Sequence, residues 1–176
     1  MITMRMILNK ENILEYAVRY DREATSGDTN IETKLKRLLK EQRFLGRADL
    51  IEIGTWKSPR QKRRYEANND ATVKELTRFS FSAESEEARV GALLALNGVS
   101  YPVASAILHF AFPEQYPILD FRAIWSLGWA QPSSYNFEFW KKYYTHIREL
   151  SRDMDLPIRA IDKALWQYSK EFQKKK

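Results

Sequence analysis

Five residues, Leu96-Asn97-Gly98-Val99-Ser100, separate two helical stretches, and a link this short forces the chain to reverse tightly. Upstream, SEEARVGALLAL has the spacing of an amphipathic helix; downstream, a second helix restarts from about Pro102. Two helices joined this closely have to lie against each other. Gly98 can take the positive φ that such a turn needs. Ser100 is a candidate N-cap, and Pro102 suits a first turn, where its missing N–H would have no partner anyway. The turn is expected to leave several backbone N–H groups facing outward, a disposition that suits phosphate.

The same helical spacing runs through the rest of the chain. Residues 11 to 23 predict a first helix with Ile13, Leu14, Ala17 and Val18 on one side. A turn is expected at Ser26 and Gly27, and then Ile31, Leu35, Leu38 and Leu39 mark a second helix. Its outer face carries Lys34, Lys36, Arg37, Lys40 and Arg43, a pattern that ordinarily means a solvated surface. Ala48 to Trp56 predicts a third helix after the break at Gly46, and Asp70 to Phe79 another, with Val73 and Leu76 inward. Ser82 is the expected cap of the helix entering the turn, with Glu84, Glu86 and Glu87 against its dipole. The segment GWAQPSS reads as a loop, Tyr135 to Arg152 as an aromatic-rich helix, and Pro157 as the start of a last helix bearing Ile158, Ile161, Leu165 and Trp166. That last helix is expected to close the N-terminal part against the turn half; Asp162 in it can cap or pair with an Arg. No strand-like alternation and no internal repeat persist, so the expected class is all-α.

Charge and composition narrow the partners. Against 23 acidic residues stand 29 basic ones, a net charge of +6 that favours a polyanion. Part of the excess is the terminal Lys174, Lys175 and Lys176, read as a solubilising tail. Between Trp56 and Tyr65 lie Lys57, Arg60, Lys62, Arg63 and Arg64. A helix starting at Pro59 would spread these cations over much of its surface, either as a phosphate-tracking face with stacking aromatics or as a solvated face whose aromatics are core. The absence of Cys excludes disulfides, thiolate chemistry and cysteine-held clusters. With only His109 and His146, neither at ligand spacing, no metal and no other cofactor is expected. No apolar run approaches a membrane span and no signal-peptide pattern opens the chain, so the expectation is a cytoplasmic protein, associated with the nucleoid if bacterial, with no membrane partner.

After the second helix of the pair, the chain passes Pro113 and Pro117 to Ile118, Leu119 and Asp120, where a further helix begins. Taken in order, Leu96, Gly98 and Val99, then Ala104 and Leu108, then Leu119 and Asp120 resemble the helix-hairpin-helix DNA glycosylase superfamily (HhH-GPD). There a Leu-x-Gly-Val-Gly turn precedes a small-residue helix and a loop ending in an apolar residue and an Asp. The spacing matches without gaps over residues 96–128. The resemblance implies a two-lobed helical bundle, residues 1–176 as one compact domain, with the hairpin and catalytic loop at 84–128 at the mouth of a cleft.

It also implies a chemistry. Breaking an N-glycosidic bond builds positive charge on the deoxyribose, which a carboxylate beside C1′ can stabilise. The target nucleotide must also be turned out of the stack. In this scheme Asp120 is the catalytic acid, and Asn97, Gly98, Val99, Ser100 and Tyr101 hold phosphate. Lys57, Arg60, Arg63, Arg64 and Arg122 support double-stranded DNA, while Trp56, Trp125 or Trp129 line the base pocket, each of them also a candidate for core. Bifunctional members carry a nucleophilic Lys where this chain has Pro102, and no Lys falls between Lys74 and Lys141, so a monofunctional enzyme leaving an abasic site is expected. Ser100 replaces the family's second Gly, and Phe121-Arg122 follows Asp120 where Thr or Pro and then His is common. The competing reading is a monomeric helix-hairpin-helix protein that binds DNA without chemistry, Asp120 serving as a helix N-cap.

Overall fold

The first helix, α1 (Lys10–Glu23), begins where the side chain of Asn9 accepts the Asn12 N–H, and it buries Ile13 and Ala17. These coordinates are a computed structural model that describes residues 6–174. Leu14 and Val18 are exposed, at 44% and 49%, although spacing groups them with Ile13 and Ala17. Each lies one residue, about 100°, beyond the buried line, enough to carry it to the helix edge.

The chain reverses at Ala24, whose backbone is extended, so α2 (Ser26–Glu41) already includes Ser26 and Gly27 and the turn falls two residues earlier than expected. Of the basic face on α2, the side chains of Arg37 and Lys40 lie outside the described residues, as do Lys175 and Lys176 of the tail. After Gly46 comes α3 (Arg47–Lys57), which stops before Ser58-Pro59 because the residue preceding a proline is pushed out of the helical region. A single 3-10 turn, Pro59–Gln61, leads into the short α4 (Lys62–Glu66). Asn69 caps α5 (Asp70–Ser82) with bonds from the Ala71 and Thr72 N–H groups.

The cap of α6 (Glu86–Leu94) is Ser85, whose hydroxyl accepts the Ala88 N–H at 3.2 Å. Ser82 instead ends α5, its hydroxyl donating to the carbonyls of Arg78 and Phe79, so Glu84 stands outside the first turn of α6. A serine can bond backward into its own helix as readily as forward, and here the three residues Ala83 to Ser85 make the corner. The turn then delivers the chain to α7 (Tyr101–Ala111).

Residues Thr25–Phe112, containing α2 to α7, form one compact unit. Within it α2 and α3 pack on α7 and α5 packs on α6. Leu35, Leu45, Leu50, Ile53, Val73, Leu93, Val103, Ile107 and Leu108 are buried there.

The second unit joins the N-terminal segment through Ala24 to the chain from Pro113 onward. Its helices are α1, α8 (Phe121–Ser126), α9 (Phe137–Met154) and α10 (Ile158–Phe172). Gly128, at φ +70°, closes α8: its N–H donates to Trp125 O at 2.8 Å and the Trp129 N–H to Ile124 O at 3.1 Å. That pair of bonds is the Schellman end expected of a glycine after a helix. α9 starts after Asn136, which caps the Phe139 N–H, so Tyr135 and Asn136 remain outside it; it ends at Asp155 in the left-handed region, two residues later than expected. α10 lies along α1, with Tyr16 edge-on to Tyr168 and ion pairs Arg19–Glu171 and Lys163–Asp21. Among the described residues every regular element is helical, and none is long and apolar enough to cross a membrane.

Candidate functional site

In the unit of α2 to α7, one buried ring organises the turn and the basic run together. Tyr65 on α4 is 0% exposed, and its hydroxyl donates to Ser58 O at 3.2 Å. Glycines flank the ring. A Cβ on Gly54 of α3 would meet Tyr65 Cε2 at 2.6 Å, and one on Gly98 would meet Tyr65 Cδ1 and Arg64 Cβ at 2.9 Å. Real Cβ atoms do not come that close, so both positions need glycine for space. Gly98 needs it for backbone as well, at φ +84°.

Asn68 adds a polar clasp. Its amide donates to Asn97 O at 3.0 Å and to Tyr65 O at 2.9 Å, and its side-chain oxygen accepts the Asn97 N–H at 2.8 Å. The turn between α6 and α7 is thereby tied to the end of α4 through the two peptide groups that flank Asn97. Arg64, whose Cβ a Cβ on Gly98 would meet at 2.9 Å, therefore lies beside the turn, with Arg63 next to it in the chain. Arg60, Arg63 and Arg64 are exposed and have no acidic partner among the described residues, whereas Lys62 faces Glu66 at 3.8 Å.

Part of the turn's backbone is already engaged. The Asn97 N–H goes to Asn68 and the Val99 N–H to Leu96 O at 3.2 Å, so of the residues expected to hold phosphate these two do not offer their amides. Ser100 stands at the N-cap of α7 but makes no capping bond with its side chain. The N–H groups of Gly98, Ser100 and Tyr101 meet no acceptor among the described residues. These lie at the positive end of an 11-residue helix, where an anion is stabilised. Glu87 is the counterweight: burial first and this charge second push the Tyr101 phenol above its usual value. Trp56 is half-buried and edge-on to Phe110, with ring centres 5.3 Å apart, so packing occupies one side of it.

Asp120, Arg122, Trp125 and Trp129 all belong to the other unit. Asp120 is half-buried and caps α8, its Oδ1 accepting the Arg122 N–H at 2.9 Å. The Arg122 guanidinium lies over the rings of Phe121 and Trp166, 5.2 Å from each. Trp125 packs against Tyr168 at 6.1 Å. Trp129 carries the Lys142 ammonium 4.6 Å above its ring, with His146 on it at 5.1 Å, beside an open cavity of about 400 Å³ bordered by Glu138 and Glu149. Burial is the main influence on His146 and holds its imidazole below the usual value. His109 is buried, and among the described residues no three His, Asp or Glu stand close enough to hold a metal ion.

The loop before Asp120 is held from a distance. Asp162 on α10, 4% exposed, accepts the Ile118 N–H at 2.9 Å, and the start of α10 has no side-chain cap. Tyr143 on α9 donates to Ile118 O at 3.1 Å. Burial, then the charges of Asp162 and Asp120, push the Tyr143 phenol well above its ordinary value, so it stays protonated and able to donate. Tyr135 is raised in the same direction by burial and by Asp120. The sequence does hint at Gly54, a glycine inside a helix, and at Asn68, a second Asn beside the one that caps α5; nothing local hints at the Ile118 partners. No family model matches the chain, and no curated protein or solved structure matches it.

Proposed function

We infer that the protein binds double-stranded DNA and hydrolyses the N-glycosidic bond of a damaged or modified base, leaving an abasic site without strand cleavage. In this reading α6, the turn and α7 are a helix-hairpin-helix, and the two units are the lobes of a glycosylase fold. The observation that carries it is the joining of the basic run to the turn: Arg64 and Tyr65 lie against Gly98, and Asn68 bonds to Asn97, so the exposed Arg63 and Arg64 belong to a segment tied to the turn. Cations and helix-start amides side by side suit successive phosphates of one strand.

The chemical half rests on Asp120, a half-buried carboxylate at the start of α8 that follows the turn at the family's spacing. Pro102 has no amine for a Schiff base, which favours hydrolysis over lyase chemistry. The binding-only alternative draws on one observation, the capping bond from the Arg122 N–H to Asp120, since that bond alone gives the acid a structural task.

The test is a panel of duplexes carrying alkylated, oxidised, deaminated or hypermodified bases, incubated with the protein and then treated with alkali. Alkali-dependent breaks at one class of base are expected. Binding to every duplex with no abasic site in any would leave the DNA-binding alternative, and breaks before alkali would contradict the monofunctional assignment.

A further inference from the structure

We propose that Asp162 and Tyr143 are positioning residues that hold Asp120 in place through the two peptide groups that flank Ile118; the inference rests on the reading that Asp120 is the acting carboxylate. The segment from Phe112 to Asp120 belongs to no regular element, and Tyr116, Pro117, Ile118 and Leu119 in it are all buried. Its buried backbone groups therefore need partners from elsewhere in the protein. Ile118 receives one on each side, the Asp162 carboxylate on its N–H and the Tyr143 hydroxyl on its C=O. The two come from different helices, α10 and α9, and hold successive peptide groups, so the backbone at Ile118 is fixed in orientation as well as in place.

From Ile118 to Asp120 is two residues, a reach of about 7 Å. Leu119 between them is 0% exposed and has no room to swing. A change in the backbone angles at Ile118 would therefore move the start of α8 and the carboxylate with it. α8 has only six residues and cannot by its own length fix where it begins.

The chemistry of the clasp argues that more than filling is involved. A buried acid is costly to desolvate, so Asp162 is held there by a polar partner and does more than fill space. Asp120 is the second carboxylate that acts on the clasp. The same two carboxylates raise the Tyr143 phenol, so both are in electrostatic reach of one hydroxyl.

The experiment uses the full chain and reads two signals, the single-turnover rate of base release at saturating duplex and hydrogen exchange at the Arg122 amide, which reports the bond to Asp120. Asp162→Ala is expected to slow the chemical step about 100-fold, the loss typical of an angstrom-scale misplacement, with duplex affinity unchanged and Arg122 protection reduced. Asp162→Asn, which keeps an acceptor for Ile118, should recover most of the rate and the protection. Tyr143→Phe, which keeps the buried ring, should reproduce the fall in both signals in part, and it carries the test if Asp162→Ala does not fold. Arg122 protection that stays native in Asp162→Ala or in Tyr143→Phe would overturn the proposal whatever the activity. A protein that releases no base from any duplex, yet loses Arg122 protection in these variants, would sink the glycosylase reading and leave the positioning intact.

Discussion

The turn at Gly98 and the loop before Asp120 both hold irregular backbone still, and they do so by opposite means. At Gly98 the device is shape: a tyrosine ring fills the space between two glycines that have no side chains to yield. At Asp120 it is hydrogen bonding, one buried acid and one buried phenol gripping the backbone of Ile118 from both sides. A steric device is rigid and tolerates no added atom. A polar one keeps its packing when a single hydroxyl is removed, and so separates placement from stability. The difference suits the tasks proposed for each region, a phosphate grip that must keep one curvature and an acid that must sit at one point.

Breaking the steric device should have the largest effect. Tyr65→Ala empties the site between Gly54 and Gly98 and should destabilise the protein by about 3–5 kcal/mol, measured by denaturant unfolding. Tyr65→Phe removes only the bond to Ser58 O and should cost about 1 kcal/mol. If the two variants matched, the ring would not be the organising element. Next come the glycines: Gly54→Ala forces overpacking against the ring and should cost about 1–3 kcal/mol. Gly98→Ala adds a left-handed backbone to its clash and should cost about 1–3 kcal/mol from the backbone alone. Of the two, only Gly98→Ala should also weaken duplex binding in proportion to the displaced turn, a contrast that sharpens the assignment of the turn to phosphate. Smallest in stability are Arg60→Ala and Arg63→Ala, each within about 0.5 kcal/mol because the side chains are exposed and have no acidic partner among the described residues. Each should nevertheless lower the slope of log affinity against log salt by about 1. An unchanged slope in both would detach the basic run from the nucleic acid.

The two regions also differ in how far they can be read from sequence. Gly98 and Pro102 announce a turn and a helix start because their backbone preferences are local, and the structure has both where the spacing predicts. Gly128 ends α8 for the same kind of reason. Serine is less definite: Ser82 and Ser85 compete for one corner, and tertiary packing decides for Ser85. Spacing also misjudges α1, where the helix supplies one buried line and Leu14 and Val18 fall beside it.

What joins the site parts is less visible still. Asn68 reaches Asn97 across 29 positions and Asp162 reaches Ile118 across 44, and no periodicity links residues that far apart. The aromatic residues mislead for a related reason. Tyr65 has the spacing of a stacking residue beside cations, yet the glycines opposite it make it the most enclosed ring in its region. Trp129 does border an open cavity, but its ring also carries a lysine and packs against a histidine, neither of which its spacing shows.

The most direct measurement is the single-turnover rate of base release by Asp120→Asn beside the native protein, on whichever duplex the alkali panel identifies, with duplex affinity measured in parallel. Asparagine keeps an acceptor for the Arg122 N–H, so the cap survives and only the charge is lost. A rate reduced by a factor of about 100 or more at equal affinity, on the scale of losing one electrostatic stabiliser, is the predicted result. An Asn variant that releases the base at the native rate would contradict it, leaving Asp120 as the cap of a short helix and nothing more.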